Sequence, residues 1–371
     1  MPASPFELPL LALSFQENLG LYGGFLAFVF VCLALDLGVF HREAHAVSFK
    51  EALGWTGVWV SLALLFNIGV YFLYENQFLG LGVNVRQLDG SFRAVGGREA
   101  AELFFAGYIV EQSLSMDNVF VIAMILSFFK VPDIYQHRVL FWGILGALVL
   151  RGVMIGVGAA LIASFSWIVY VFGAFLLLSA FKMAMIRSEN VDPNQNPVVK
   201  LTRRLIPITP NFEGSKFFTQ WNGRRAATPL FLALVLVEFT DLIFAVDSIP
   251  AIFGITADPF LVFTSNVFAI LGLRSLYFCL ANLLEKFRYL KPALILVLAF
   301  VGAKMLLVHS PLKIDTTVSL LVILGLLGSA VVLSMAIPAR PGELESLPGP
   351  EGILDPFAGL RKKNDDEPEA S

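Results

Sequence analysis

The chain contains a series of apolar runs of about 20 residues each, and these runs constrain its fold more than any other feature. An α-helix rises about 1.5 Å per residue, so a run of this length crosses the roughly 30 Å hydrocarbon layer of a bilayer. The chain is 57% hydrophobic and only 15% charged, whereas a soluble domain has about 25% charged residues. The sequence therefore predicts an all-α, polytopic membrane protein.

The apolar runs predict about nine transmembrane helices. They are placed at residues 20–40, 53–74, 100–129, 139–163, 167–186, 228–255, 260–284, 290–309 and 317–337. The chain then divides into an N-terminal two-helix segment with an external loop (1–99), a three-helix unit (100–186), a basic cytoplasmic loop (187–227), a second three-helix unit (228–309), a last transmembrane helix (310–337) and a tail (338–371). The tail is rich in Pro, Gly and acids and is expected to be disordered.

The distribution of Lys and Arg predicts the orientation, because cytoplasmic loops of membrane proteins carry an excess of positive charge. With the N-terminus outside, the cytoplasmic segments hold 18 of the 26 Lys and Arg residues, the opposite side holds 4, and 4 lie inside spans. We therefore expect the N-terminus outside and the C-terminus in the cytoplasm.

Two of the predicted spans contain acids, which are rare there because a carboxylate in hydrocarbon costs about 2.5–3.5 kcal/mol on insertion scales. In each span one acid stands six residues before another: Glu111 before Asp117, and Asp241 before Asp247. Six residues rotate 600°, or 240° net, around an ideal helix. The two acids of a span must therefore face different neighbours, or the helix must unwind between them. Pro250 favours a kink in the second span.

The acids belong to an internal repeat. When Asp117 is aligned with Asp247, the order acid, acid, Arg, Lys recurs at similar spacing in the two three-helix units. The basic residues of this pattern are Arg151 and Lys182 in the first unit and Arg274 and Lys304 in the second. Because each unit has an odd number of spans, the two copies must be inverted relative to each other. A 3+3 inverted repeat with a site near the bilayer midplane is typical of secondary transporters.

This pattern predicts a midplane cation site, with oxygen ligands from the two copies: Glu111, Asp117, Asn118, Asp241, Asp247 and Ser248. Hard divalent cations such as Mn²⁺ take carboxylate, carbonyl and water ligands, and no Cys or His lies near these positions. The in-span Arg and Lys residues would neutralise or gate the empty site. A purely structural role for the acids, paired with those basic residues, is the alternative. Protons are a plausible counter-ion, because a desolvated acid can take up a proton when the cation leaves.

Three segments of the chain resemble the TerC family of bacterial integral membrane proteins. They are Glu-Gln-Ser-Leu-Ser-Met-Asp-Asn-Val-Phe at 111–120, Glu-Phe-Thr-Asp-Leu-Ile-Phe-Ala-Val-Asp-Ser-Ile-Pro-Ala at 238–251 and Phe-Thr-Ser-Asn-Val-Phe-Ala-Ile-Leu-Gly-Leu-Arg-Ser-Leu-Tyr-Phe at 263–278. The predicted nine spans and the segment Pro-Ile-Thr-Pro-Asn-Phe-Glu-Gly-Ser-Lys-Phe-Phe are similar to the Alx-type branch. The resemblance implies an inner-membrane metal-ion exporter with Mn²⁺ as the transported ion, in a family named for tellurium resistance. It also implies a functional role for Glu111, Asp117, Asp241 and Asp247.

Two other functions are alternatives to an exporter. A membrane scaffold or assembly factor in a tellurium or metal stress response would use the 187–227 loop as a docking surface. An intramembrane enzyme is not expected, because the paired aspartates lack the Gly-x-Gly-Asp element of aspartyl proteases and the spans hold only two isolated cysteines. We also expect no permanently bound cofactor and no nucleic-acid partner, whereas the lipid bilayer is an obligate partner.

Overall fold

A computed structural model describes residues 19–38, 49–185, 196–221, 223–280 and 289–337. Its helices are α1 (Leu19–Gly38), α2 (Phe49–Glu75), α3 (Gly97–Phe128), α4 (Asp133–Ser164), α5 (Ile168–Met185), α6 (Pro197–Leu205), α7 (Pro229–Phe253), α8 (Pro259–Leu271), α9 (Leu273–Leu280), α10 (Leu290–Leu306) and α11 (Thr316–Ala336). Two short antiparallel hairpins pair β1 (Val85–Arg86) with β2 (Phe92–Arg93) and β3 (Phe218–Trp221) with β4 (Arg224–Ala227).

The predicted fold class is confirmed: the described part of the chain is mostly helical, and seven of its helical segments are long and apolar enough to cross a membrane. The other two predicted spans fall on α1 and α10. The apolar part of α1, Gly20–Leu35, and the 17 residues of α10 are both shorter than any of the seven segments. The total of nine spans and the orientation of the termini therefore stay predictions. The predicted tail, residues 338–371, lies outside the described residues.

Local sequence signals fix several helix starts. Pro197, Pro229 and Pro259 each stand in the first turn of a helix, where the missing N–H is not needed. Asp258 caps α8: its carboxylate accepts the Phe260 N–H at 2.9 Å and a bond from the Tyr74 hydroxyl at 2.7 Å. This buried cap ties the end of α2 to the start of α8.

The two predicted three-helix units pack against each other. Helix α3 packs on α8, and α4 packs on α7, which is the exchange of neighbours that a repeat would produce. Helices α5 and α10 approach most closely where Gly173 meets Gly302. A Cβ at either glycine would lie 2.9 Å from the carbonyl oxygen of the other, so neither position has room for a side chain. The packing agrees with an inverted repeat, which itself stays a prediction.

Unwinding between the acids, one of the two alternatives that their spacing left open, is not seen. Helices α3 and α7 run without interruption through 32 and 25 residues, and Pro250 lies in the last turn of α7. Proline has no backbone N–H, so near a helix end it removes one hydrogen bond without breaking the helix. The span predicted at 260–284 corresponds to α8 and α9, which together form one apolar helical segment, Pro259–Cys279, with an irregularity of one residue at Gly272. There the Ser275 hydroxyl donates to the Gly272 carbonyl at 3.0 Å, and Gly has a low helix propensity. Residues 281–284 lie outside the described residues.

The connections at the two ends of the bundle are ordered by polar contacts. At one end, Lys313 binds Asp89 in the β1–β2 hairpin at 2.6 Å, which joins the α2–α3 and α10–α11 connections. At the other end, α6 and the β3–β4 hairpin cover the start of α7. There Arg138 of α4 donates to the Ser215 hydroxyl at 2.9 Å and stacks over the Phe217 ring.

Candidate metal-binding cavity

Because of the six-residue spacing, the two acids of each helix lie on different sides of that helix. On both α3 and α7 the first acid faces α4, and the second faces a cavity bordered by α5 and α10. Both helices are continuous, so the 240° rotation between the two acids turns them toward different neighbours, and no unwinding is needed. Equivalent acids of the two predicted repeats therefore meet: Glu111 with Asp241, and Asp117 with Asp247.

The first acids share one arginine, Arg151 of α4. The side chain of Arg151 is 2% exposed and donates to Asp241 through Nη2 at 2.8 Å and Nε at 3.1 Å, a bidentate pairing. Its Nη1 forms an ion pair with Glu111 Oε1 and lies 3.4 Å from Asn266 Oδ1. Arg151 thus connects α3, α4, α7 and α8 through buried charge-assisted bonds.

The second acids line a common cavity of about 20 Å³. Its polar lining consists of Asp117, Asn118, Asp247 and Ser248, and its apolar lining of Leu114, Met183, Phe244 and Leu298. A cavity needs roughly 10–15 Å³ of such space to hold one water, so this one has room for a single water molecule or a cation of similar size.

The oxygen atoms around this cavity are short of donors. Ser179 of α5 donates to Asp247 Oδ1 at 2.7 Å. Asn118 Oδ1 and Ser248 Oγ are buried and have no hydrogen-bond partner in the described part of the structure. Buried polar atoms are nearly always satisfied, by protein, water or an ion. Carboxylate, amide and hydroxyl oxygens at this position fit a hard cation.

The four acids do not converge on one point as the sequence predicted. Among the described residues, no three His, Cys, Asp or Glu side chains lie close enough together to hold a metal ion. The reason is the separation described above: Glu111 and Asp241 are held by Arg151, which leaves two carboxylates at the cavity. A site there would combine Asp117 and Asp247 with neutral oxygens and water.

The predicted basic partners also separate. Arg151 binds two of the acids, and Arg274 is buried in α9. Lys182 is exposed on α5 and Lys304 is half-buried on α10, and neither forms an ion pair with any of the four acids. Both lysines lie within three residues of a helix end, where a long side chain can extend toward the headgroups. The positive charge that acts on Asp117 is that of Lys291, near the start of α10.

Sequence reasoning did not select Glu238, although it is a third acid in α7, three residues before Asp241. Its half-buried carboxyl packs against the backbone of α4 at Gly146, where an added Cβ would collide with it. The signal was available, because i and i+3 positions share a helix face and a third acid in one span is unusual.

Comparisons with known proteins agree with this architecture. The family model described as "Integral membrane protein TerC family" matches residues 97–341. A Myxococcus xanthus protein named "Uncharacterized membrane protein STKORF319" is 52% identical over 316 residues, which cover 85% of this chain and 92% of that protein. Proteins named "Putative membrane-bound redox modulator Alx" are 45% identical, over 85% of this chain and 93% of the relative in Salmonella typhi, and over 86% and 95% in Escherichia coli K12. No solved structure matches the chain.

Proposed function

Because this chain belongs to the TerC family of integral membrane proteins, we propose that it is a secondary transporter that exports divalent metal ions, with Mn²⁺ as its substrate. The observation that carries the proposal is the cavity of about 20 Å³, to which α3 and α7 each contribute one aspartate. We propose further that it works in the bacterial inner membrane with its N-terminus outside, as the charge bias of its loops predicts.

The donor set supports a hard cation as the substrate. Two carboxylates offset the charge of a divalent ion, and the Asn118 and Ser248 oxygens add neutral ligands. No Cys or His is among the described side chains that line the cavity, and these are the ligands that softer metals prefer.

The charge cluster at Arg151 supports the same proposal in a different way. By binding Glu111 and Asp241, Arg151 holds α3 and α7 against α4 and fixes the relative position of the two aspartates beyond them. When the cation leaves, two facing carboxylates repel each other, and a proton bound to one of them relieves that repulsion. A proton is therefore the counter-ion that the site suits best.

The test is Mn²⁺ efflux from cells that express Asp117→Asn or Asp247→Asn. Each amide keeps the size and one oxygen but removes half of the ligand charge, so efflux should fall at least about ten-fold. The matched control is Asp315→Asn, the same change at an exposed acid before α11. Membrane levels are measured by immunoblot. If both cavity variants expel Mn²⁺ like the parent at equal membrane levels, the transport proposal fails.

The printed name of the relatives motivates one alternative, a redox function. The chain has two cysteines, Cys32 and Cys279, and both are free thiols. A redox function that uses these thiols would be lost in the Cys32→Ser/Cys279→Ser variant, whereas Mn²⁺ efflux would remain. A scaffold would instead tolerate the aspartate changes and depend on the surface of residues 196–228.

A further inference from the structure

Helix α6 has an apolar face that the protein covers only in part. Val199 and Thr202 are buried against the bundle, whereas Leu201 is 55% and Leu205 is 71% exposed. These two leucines are one helical turn apart, so they present a single apolar ridge. Two leucines side by side on a short helix are an unfavourable surface to leave in water, so another apolar medium is expected to cover them.

The rest of the exposed surface of α6 is basic. Lys200, Arg203 and Arg204 are all exposed, and the helix contains no acid. On a helical projection Lys200 and Arg204 lie about 100° and 140° from Val199 and border one side of the leucine ridge, whereas Arg203 lies only about 40° from Val199. The surface formed by Lys200, Leu201, Arg204 and Leu205 is called the α6 surface below.

The position of α6 places this surface at the boundary between membrane and water. Val199 packs in one cluster with Val131, Val139 and Leu230. These three residues lie where α3 ends, α4 begins and α7 begins, so α6 sits on the ends of three membrane helices. The adjoining β3–β4 hairpin adds the exposed aromatic residue Trp221, a side chain common at this depth of a bilayer.

We propose that the α6 surface binds the anionic phospholipid headgroups of the protein's own bilayer. The leucines enter the region between headgroups and acyl chains, and Lys200 and Arg204 bind the phosphates. Charge favours a lipid over a protein as the occupant. A surface with two positive and no negative side chains, held beside a membrane, matches an anionic lipid layer. This inference rests on membrane insertion alone and does not depend on the transported ion.

The experiment uses the full-length protein in nanodiscs of phosphatidylcholine with or without phosphatidylglycerol. Hydrogen–deuterium exchange is followed on peptides that cover residues 197–205. Each basic residue near an anionic surface is worth about five-fold, so exchange should slow at least about ten-fold when phosphatidylglycerol is present. Because headgroup binding is electrostatic, high salt should reverse most of that slowing.

Two variants make the test specific. Lys200→Gln/Arg204→Gln should abolish the effect of phosphatidylglycerol, whereas Arg98→Gln/Lys313→Gln, which removes the same charge at the other end of the bundle, should keep it. All four positions are exposed, so the fold should survive, and a thermal unfolding curve checks this. Equal exchange in the two lipids, or a lipid effect that persists in Lys200→Gln/Arg204→Gln, would overturn the proposal. If exchange of residues 197–205 slows only when other membrane proteins are added, in either lipid, the lipid proposal is overturned and a protein partner is indicated.

Discussion

Replacing Arg151 with Met should destabilise the protein strongly, because Arg151 is the cation that pairs with two buried acids. Glu111 is 1% and Asp241 is 7% exposed, so neither carboxylate can reach bulk water when the guanidinium is gone. Removing one partner of a buried ion pair costs about 3–5 kcal/mol. Insertion scales give a similar value of about 2.5–3.5 kcal/mol for each unpaired acid in a membrane.

The same reasoning predicts a rescue. In the variant Glu111→Gln/Arg151→Met/Asp241→Asn all three charges are absent, and the buried site holds amides and an apolar side chain of comparable length. Replacing a whole buried ion cluster by neutral groups is often close to neutral in stability. The triple variant should therefore recover most of the stability that Arg151→Met loses, although it contains two more substitutions.

The assay is the midpoint of thermal unfolding in detergent, read as the fraction that remains monodisperse on size-exclusion chromatography after heating. A loss of 3–5 kcal/mol corresponds to a midpoint about 5–15 °C below the parent. A Lys182→Met variant, which removes an exposed in-span cation, should stay within about 2 °C. The reasoning is refuted if Arg151→Met unfolds with the parent, or if the triple variant is no more stable than Arg151→Met.

Two further predictions concern the polar contacts outside the cavity. Tyr74→Phe removes the 2.7 Å bond to the buried Asp258 carboxylate and should cost about 1–3 kcal/mol in thermal unfolding, whereas Tyr71→Phe, at an exposed position of the same helix, should cost almost nothing. The Lys313 ammonium bound to Asp89 holds the pKa of that carboxyl below its usual range. The stabilisation is therefore complete above about pH 4 and is lost as the pH falls toward the lowered value. Exchange protection of the β1–β2 hairpin, corrected for intrinsic rates, should fall on acidification in the parent and show no such pH dependence in Asp89→Asn.

The sequence predicted the membrane helices well because their signal is local. Length and hydropathy are properties of consecutive residues, so the predicted span at 100–129 differs from α3 by one to three residues at its ends. Helix α6 was not predicted, because nine amphipathic residues between the prolines of a long loop are too few to give the signal of a membrane span. The irregularity at Gly272 within the segment Pro259–Cys279 was also not predicted, since one glycine in an apolar run is compatible with a continuous helix.

The candidate site was only partly predictable, because spacing gives directions around a helix but not neighbours. The repeat predicted that Asp117 and Asp247 come together, and both line one cavity. It could not predict that Arg151 takes both Glu111 and Asp241, since Arg274 holds the equivalent position in the aligned sequence. Which of two equivalent arginines reaches the acids depends on the tertiary packing of α4 and α9.

The use of a single arginine for both first acids makes the two acid clusters electrostatically unequal. With all groups ionised, Glu111 and Asp241 contribute −2 and Arg151 contributes +1, so that cluster carries −1. The cavity lining contains Asp117 and Asp247 and no basic side chain, so the lining carries −2, and the positive charge of Lys291 acts on Asp117 from outside it. A divalent cation neutralises the cavity completely, whereas at the other cluster it would have to approach the buried Arg151 guanidinium. The electrostatics therefore direct a divalent ion to Asp117 and Asp247, which is why these two aspartates, rather than all four acids, are the ones to change first.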